Sequence, residues 1–166
     1  MTKRQVFYSF HYKPDSWRAS QVRNIGVIEG NKPAPDNEWE KIASTGDEEI
    51  KKWIKEQMKY RSCTIVLVGN KTSNRKWINY EIVQSWNAGM GMVGIHIHGL
   101  KNNDGDTSEK GENPFDYITH GDTQKKLSAI VKCYNPAGTN SKEVYDWISK
   151  YISDAVEEAI NIRNNN

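Results

Sequence analysis

The chain of 166 residues carries 23 basic and 21 acidic side chains, so its net charge is only +2, and 36% of its residues are hydrophobic. Such a weak field argues against nucleic acid or a membrane surface as a partner. No apolar run approaches the roughly 18 residues that a membrane span needs, and the N-terminus lacks the apolar core of a signal peptide, so we expect one cytoplasmic domain over residues 1–166, folded from about 5 to 162.

The N-terminal segment predicts a strand, a helix and a second strand. Gln5–Phe10 is rich in β-forming residues and lies close to the start of the chain, as expected of a central strand. After a turn, Asp15 or Ser16 can cap a helix that runs to about Asn24. Ile25–Ile28 then predicts a short second strand.

A long loop and a second helix follow. Residues 29–46 contain two prolines and no clear period, and loops of this length are usually functional or disordered; Trp39 favours an ordered one. Thr45–Glu48 has the spacing of a capping box, and the apolar residues behind it continue at helical intervals to Met58.

The centre of the chain predicts a buried strand followed by an amphipathic helix. Cys63–Val68 is apolar without alternation, which is typical of a parallel strand covered on both faces. A polar turn over Gly69–Asn74 leads into a helix over about Lys76–Ala88. Its predicted sheet-facing arc has Glu81 at its edge. The members of that arc are Ile78, Ile82, Val83 and Trp86.

The remaining elements complete an α/β pattern. Met92–Ile97 and Ser128–Tyr134 predict two more strands, and Asn140 to Glu143 can cap a last helix, after which Arg163–Asn166 should fray. Alternating strands and helices indicate a parallel sheet with helices on both faces. We therefore expect a five-stranded flavodoxin-like fold of order 2-1-3-4-5, with a cleft between the first and third strands and Glu81 on its wall.

Several chemistries known on this fold lack their residues here. The first and third strands end without the carboxylates of a phosphoacceptor receiver, and the turn His11–Asp15 is not the Ser/Thr/Gly-rich phosphate loop of a flavodoxin. Neither a G-x-G-x-x-G nor a Walker motif occurs. His96 and His98 alternate along a predicted strand, but no third metal ligand is placed by the sequence, so we predict no metal site.

A single carboxylate beside aromatic residues suits one kind of glycosidic cleavage. Nicotinamide leaves the ribose of NAD as a neutral pyridine, so no general acid is required. A carboxylate that holds the ribose and stabilises positive charge in the transition state is then sufficient. From the residues alone, Glu81 fits this role, but it also fits that of an ordinary solvated helix residue.

Three segments of the chain resemble a known family. Trp77-Ile-Asn-Tyr-Glu81 has the spacing of the W-x-x-x-E element of TIR domains, and Val6–Phe10 is similar to the first TIR box. Together with the segment from Gly94 to Ile118, which contains G-I-H-I and N-P-F-D-Y, they resemble the bacterial TIR-like ThsB family of Thoeris antiphage defence. The animal-type R-D-x-x-P-G pattern is missing from the loop that carries Trp39, which leaves the mode of self-assembly open.

The resemblance implies an NAD-consuming enzyme, an NADase or ADP-ribosyl cyclase with NAD as substrate and no further cofactor. Its product would be an ADP-ribose-derived signal that activates an effector of ThsA type after a phage-derived trigger, with assembly into a homo-oligomer left open. Glu81 would be the catalytic residue. The expected substrate-binding residues are Ser9, Phe10, His11, Tyr12, Trp39, Asn70 and Trp77. The alternative is a non-catalytic TIR-like module that acts by protein assembly.

Overall fold

A computed structural model describes residues 4–26, 29–30, 45–121 and 123–166, with the backbone alone at 29–30. The strands are β1 (Gln5–Phe10), β2 (Glu29–Gly30), β3 (Cys63–Val68), β4 (Gly91–His96) and β5 (Cys133–Tyr134). The helices are α1 (Tyr12–Arg23), α2 (Asp47–Met58), α3 (Lys76–Asn87) and α4 (Ser141–Asn164). Two 3-10 turns, Pro114–Tyr117 and Leu127–Ala129, lie between β4 and β5.

The five strands form one parallel sheet of order β2-β1-β3-β4-β5, which confirms the predicted flavodoxin-like fold. In the register of this sheet, Ser9 pairs with Val66 and Val68 pairs with His96. Residues of β3 and β4 are buried throughout, because helices cover both faces of these two strands.

The two faces of the sheet carry different helices. On the face that we call the α4 face, α1 and α4 pack over alternate residues of the strands, such as Val6 and Ile65. On the opposite face, which we call the α3 face, Ile78 and Ile82 of α3 pack against Val66 and Val68. Next to them, α2 packs on Phe7 of β1. Ser9 lies on the α3 face, since it is in register with Val66.

The start of the chain differs from the sequence prediction at two points. Helix α1 begins at Tyr12, with His11 as its N-cap, so Asp15 lies in the first turn and does not cap the helix. The second strand is Glu29–Gly30, and residues 27–28 of the predicted strand Ile25–Ile28 lie outside the described residues. Ile25 instead packs against the core directly after α1, and its amide donates to the carbonyl oxygen of Val22.

The predicted capping box of α2 is wrong. Gly46 is the N-cap, with a φ of 105°, so Thr45 precedes the cap position and is not the N-cap residue that a capping box needs. The left-handed φ lets the chain enter the helix one residue later than the Thr45 cap would require. The predicted N-cap of α4 is confirmed, because Asn140 Oδ1 accepts from the amide of Glu143 at 2.9 Å.

The last strand is shorter than predicted. The segment 128–134 contributes only Cys133–Tyr134 to the sheet, because the chain before it forms the 3-10 turn at Leu127–Ala129 and buries Leu127 and Val131 on the α3 face. The C-terminal residues do not fray at Arg163, whose guanidinium donates to the carbonyl oxygen of Trp86 at 2.8 Å.

Helix α3 is rotated relative to the predicted arc. Its buried residues are Ile78, Glu81, Ile82 and Ser85, at the spacing of one helical face. Val83, which was expected to face the sheet, is 38% exposed. Glu81 therefore lies within the buried face of α3 and not at its edge.

None of the helices in the described part of the chain is both long and apolar enough to cross a bilayer. Trp39, which the sequence places in the long loop, falls outside the described residues.

Candidate active site at the carboxyl edge of the sheet

Glu81 and Ser9 meet in the interior between α3 and β1. Ser9 is the last fully buried residue of β1, with 1% of its surface exposed, and Glu81 is 6% exposed on the helix that covers it. A carboxyl group at this depth is uncommon in a helix that packs on a sheet. Its position near the carboxyl ends of β1 and β3 is where open α/β sheets bind ligands.

Burial dominates the electrostatics of this carboxyl group. Loss of solvation raises the pKa of Glu81 to about 8, and the Ser9 hydroxyl lies close enough to oppose part of this rise. Within the described residues, Glu81 Oε2 and Ser9 Oγ have no hydrogen-bond partner. An unsatisfied acid with a pKa near neutrality is a frequent mark of a functional site.

Six other buried polar atoms without a hydrogen-bond partner in the described part of the chain lie along the same edge of the sheet. They belong to residues at the ends of β1 and β4, in the loop after β4 and in the first turns of α1 and α3. Beside Ser9 and Glu81 they are His11 Nδ1, Asp15 Oδ2, Asn79 Oδ1, His96 Nδ1, His98 Nδ1 and Ser108 Oγ. Polar groups left unsatisfied in one place indicate that a polar ligand completes them.

The loops after β1 and β3 come together at this edge, as the strand order predicts. Burial lowers the pKa of His11, and Arg75 and Lys71 lower it further, so the β3–α3 turn brings positive charge to the end of β1. A Cβ on Gly69 would lie 2.0 Å from Asp15 Oδ2, so the close contact of α1 with this turn requires glycine.

One feature of the edge was not found from the sequence. Asp15 is 2% exposed and its Oδ1 pairs with Arg18 Nη1 at 2.8 Å. Arg18 also donates through Nε to the carbonyl oxygen of Leu100 and through Nη2 to that of Asp106. The pair therefore ties α1 to the loop after β4. Its signal in the sequence is the spacing of three between Asp15 and Arg18 on one helix.

The predicted substrate-binding residues do not all lie beside Glu81. Phe10 packs against the core of the α4 face and stacks on Tyr12 with ring centroids 6.2 Å apart. Trp77 packs against the cluster under α2 and meets Tyr80 edge-on at 5.6 Å. Asn70 is exposed, in the turn after β3. The structure thus brings Ser9 to Glu81 and places Phe10 on the opposite face, while Trp77 lies one helical turn before Glu81 on α3.

The two histidines near the end of β4 also lie at this edge. His96 is the last residue of the strand, and its ring meets that of His98 edge-on, with centroids 5.8 Å apart. Among the described residues, no three His, Cys, Asp or Glu side chains are grouped so that they could hold a metal ion.

Comparison with known families shows which family the chain belongs to. Residues 7–102, more than half of its length, match the family model described as "Thoeris protein ThsB, TIR-like domain". The chain belongs to this ThsB family. The matched residues include residues 7–10 of β1, the β3–α3 turn and the whole of α3, so Ser9 and Glu81 both lie in the matched region.

A relative in Bacillus cereus (strain MSX-D12) is 40% identical over 123 residues. Its name is "Putative cyclic ADP-D-ribose synthase ThsB1", and the aligned region covers 71% of this chain and 64% of the relative. The chain therefore spans less than two thirds of the length of this ThsB-family protein.

Proposed function

We propose that this ThsB-family TIR domain cleaves the bond between nicotinamide and ribose in NAD and forms an ADP-ribose-derived signal, with Glu81 as the catalytic residue. The observation that carries the proposal is the burial of Glu81 against Ser9 at the carboxyl edge of the sheet, with Oε2 unpartnered in the described part of the chain. The name of the B. cereus relative supports a cyclic product.

The high pKa of Glu81 matches a cationic substrate. With a pKa of about 8, most of the carboxyl groups are protonated at neutral pH when no ligand is bound. The nicotinamide ring of NAD carries a positive charge, and a cation placed nearby favours the ionised carboxylate. NAD binding should therefore release a proton from Glu81 and form a close ion pair in a site with little water.

The proposed reaction breaks the bond between ribose C1′ and the ring nitrogen, and both electrons of that bond leave with nicotinamide as a neutral molecule. The ribose carbon becomes electron-poor, and the Glu81 carboxylate stabilises its positive charge. A hydroxyl or ring nitrogen of the adenosine part then attacks C1′ and gives a cyclic product. If the attacking group is a hydroxyl, its proton passes to a base or to water. Capture by water instead gives ADP-ribose.

The ThsB-family relationship also supports a role in defence. In this proposal a phage-derived trigger starts turnover, and the product acts on an effector of ThsA type, so that the two proteins communicate through a nucleotide. No further cofactor is required, because NAD is consumed as the substrate. The proposed reaction does not itself depend on assembly of the domain into a homo-oligomer.

Release of nicotinamide tests the proposal. The purified protein is incubated with NAD, with and without lysate of phage-infected cells, and free nicotinamide and the nucleotide products are separated by chromatography. Glu81→Gln should lower the rate by about 100-fold or more, since it removes the charge that stabilises the transition state. The matched control is Glu56→Gln, on the exposed side of α2, which should leave the rate unchanged.

Two results would contradict the proposal. One is equal nicotinamide release by wild type and Glu81→Gln. The other is no release by the wild-type protein under either condition, which would favour the non-catalytic assembly module.

A further inference from the structure

The reaction proposed above uses Glu81 and Ser9 and gives no role to a second group of side chains at the same edge. His96, His98 and Lys110 lie at the end of β4 and in the loop that follows it. His96 is 4% exposed, and in the described part of the chain its Nδ1 has no hydrogen-bond partner; the same holds for His98 Nδ1. Buried imidazole nitrogens of this kind need a polar partner.

The register of the sheet places this group on the same face as Glu81. His96 is paired with Val68, and Ser9 is paired with Val66, so both project to the α3 face. From the spacing of neighbouring strands and the rise per residue, the Cα atoms of Ser9 and His96 are roughly 12 Å apart. A dinucleotide whose ribose lies at Glu81 can reach that far.

The loop after β4 brings Lys110 to the same position. A Cβ on Gly111 would lie 2.1 Å from the carbonyl oxygen of Gly69, so the loop crosses the β3–α3 turn in direct contact with it. Lys110 is exposed and next to this crossing, and its charge lowers the pKa of both His96 and His98.

The charges around the histidines favour an anion. Burial first, and then Lys110 and His98, lower the pKa of His96 to about 4. Burial, Lys110 and Arg18 lower the pKa of His98. Asp15, the carboxylate on α1, is already paired with Arg18. In the ligand-free protein the rings of His96 and His98 are therefore neutral at pH 7, and each has one N–H to donate beside a lysine ammonium group.

We propose that His96, His98 and Lys110 form the subsite that binds the diphosphate group of the dinucleotide. This inference rests on the function proposed above and adds the substrate group that these three residues recognise. Two imidazole N–H donors and one ammonium group match the several acceptor oxygens of a diphosphate. Binding there would hold the ribose end of the ligand toward Glu81 and leave the adenosine end toward β5.

Binding of ADP-ribose tests the subsite without any turnover. Titration calorimetry gives the Kd for the wild type and for two variants at exposed or half-buried positions, Lys110→Met and His98→Phe, which should fold normally. Each variant should weaken ADP-ribose binding about tenfold, the effect of losing one charge-assisted or buried hydrogen bond. The control Lys150→Met, on the helix that covers the opposite face, should bind as the wild type does.

The imidazole proton signals of His96 and His98 give a second readout that a purely structural role would not move. Titration with ADP-ribose should shift both signals, and so should inorganic pyrophosphate at higher concentration, whereas adenosine, which has no phosphate, should leave them in place. Unshifted histidine signals with ADP-ribose, or unchanged ADP-ribose affinity in both variants, would overturn the subsite.

The two proposals fail separately. If Glu81→Gln released nicotinamide at the wild-type rate, the catalytic role would be lost, while the ADP-ribose titrations would still decide whether the diphosphate binds at His98 and Lys110. If the titrations failed and Glu81→Gln were inactive, the reaction would stand and the diphosphate would bind elsewhere.

Discussion

Two buried charged side chains, Arg18 on the helix over the α4 face and Glu81 on the α3 face, differ in their hydrogen bonds. On α1, which covers the α4 face, the guanidinium of Arg18 is nearly inaccessible and donates to Asp15 Oδ1 and to the carbonyl oxygens of Leu100 and Asp106. On the α3 face, Glu81 and Ser9 are equally buried, but Oε2 and Oγ have no hydrogen-bond partner among the described residues.

This difference distinguishes structural polar groups from those that await a ligand. A buried charge that is fully paired holds elements together, and removal of one partner is expensive. A buried acid without a partner lowers stability in the ligand-free protein, and such a cost persists where the group serves a function. Replacement of Arg18 should therefore lower the free energy of unfolding, whereas replacement of Glu81 should raise it.

The largest loss of stability is expected at Arg18. Arg18→Met leaves the carboxylate of Asp15 buried without its cation and breaks the bonds to Leu100 and Asp106, so the free energy of unfolding should fall by about 3–5 kcal/mol. Urea denaturation at pH 7 measures it. The control is Arg4→Met, which removes the exposed ion pair with Glu157 and should cost about 1 kcal/mol or less. Equal losses in the two variants would contradict the comparison.

Glu81 should show the opposite sign, and the sign should depend on pH. Because burial raises the pKa of Glu81 in the folded protein to about 8 from 4.5, the unfolded chain ionises first as the pH rises. The contribution of protonated Glu81 to the free energy of unfolding is therefore fully present below about pH 4.5. It falls by roughly 4 kcal/mol as the pH rises from there towards 8.

Glu81→Gln lacks this titration. Urea denaturation near pH 5 and near pH 9 should show a stability gap in favour of the variant that widens with pH, because only the wild type must bury a carboxylate. Parallel stability profiles for the two proteins would show that Glu81 titrates normally and is not held in a dry site.

The smallest expected effect compares two buried serines on the α3 face. Ser85 Oγ lies 2.7 Å from Thr64 Oγ1 and donates to the carbonyl oxygen of Glu81, so Ser85→Ala should cost about 1–3 kcal/mol. Ser9 Oγ has no such bonds in the described part of the chain and only opposes part of the rise in the pKa of Glu81, so Ser9→Ala should cost less than Ser85→Ala. Thermal unfolding of the two variants measures both, and a larger loss for Ser9→Ala would mean that its hydroxyl is structural.

The strand order and the main strands could be predicted from the sequence because they depend on local composition. The apolar run Cys63–Val68 and the β-rich run Gln5–Phe10 have the predicted bounds, and the alternation of strands and helices gives their order. The fifth strand could not be predicted well. Leu127 and Val131 lie in and just after a 3-10 turn, and they are apolar because they are buried on the α3 face. In the sequence, apolar residues of this kind look like those of a strand.

The candidate site was predicted only in part for a related reason. Helical spacing placed Glu81 near the sheet. How deeply it is buried depends on the rotation of α3 about its axis, which the packing of its neighbours sets. In the structure this rotation buries Glu81 and exposes Val83. The bonds from Arg18 to the carbonyl oxygens of Leu100 and Asp106 and the contact of Gly111 with Gly69 join segments far apart in the chain, so no local pattern reveals them.

The dependence of nicotinamide release on pH tests the central claim most directly. If the ionised form of a buried Glu81 is required, kcat/KM should rise about tenfold per pH unit below an apparent pKa near 8 and level off above it, because kcat/KM reports the free enzyme. The residual activity of Glu81→Gln should lack this rise. A wild-type profile that is flat between about pH 6 and pH 9 would contradict the claim that the buried carboxylate of Glu81 drives the reaction.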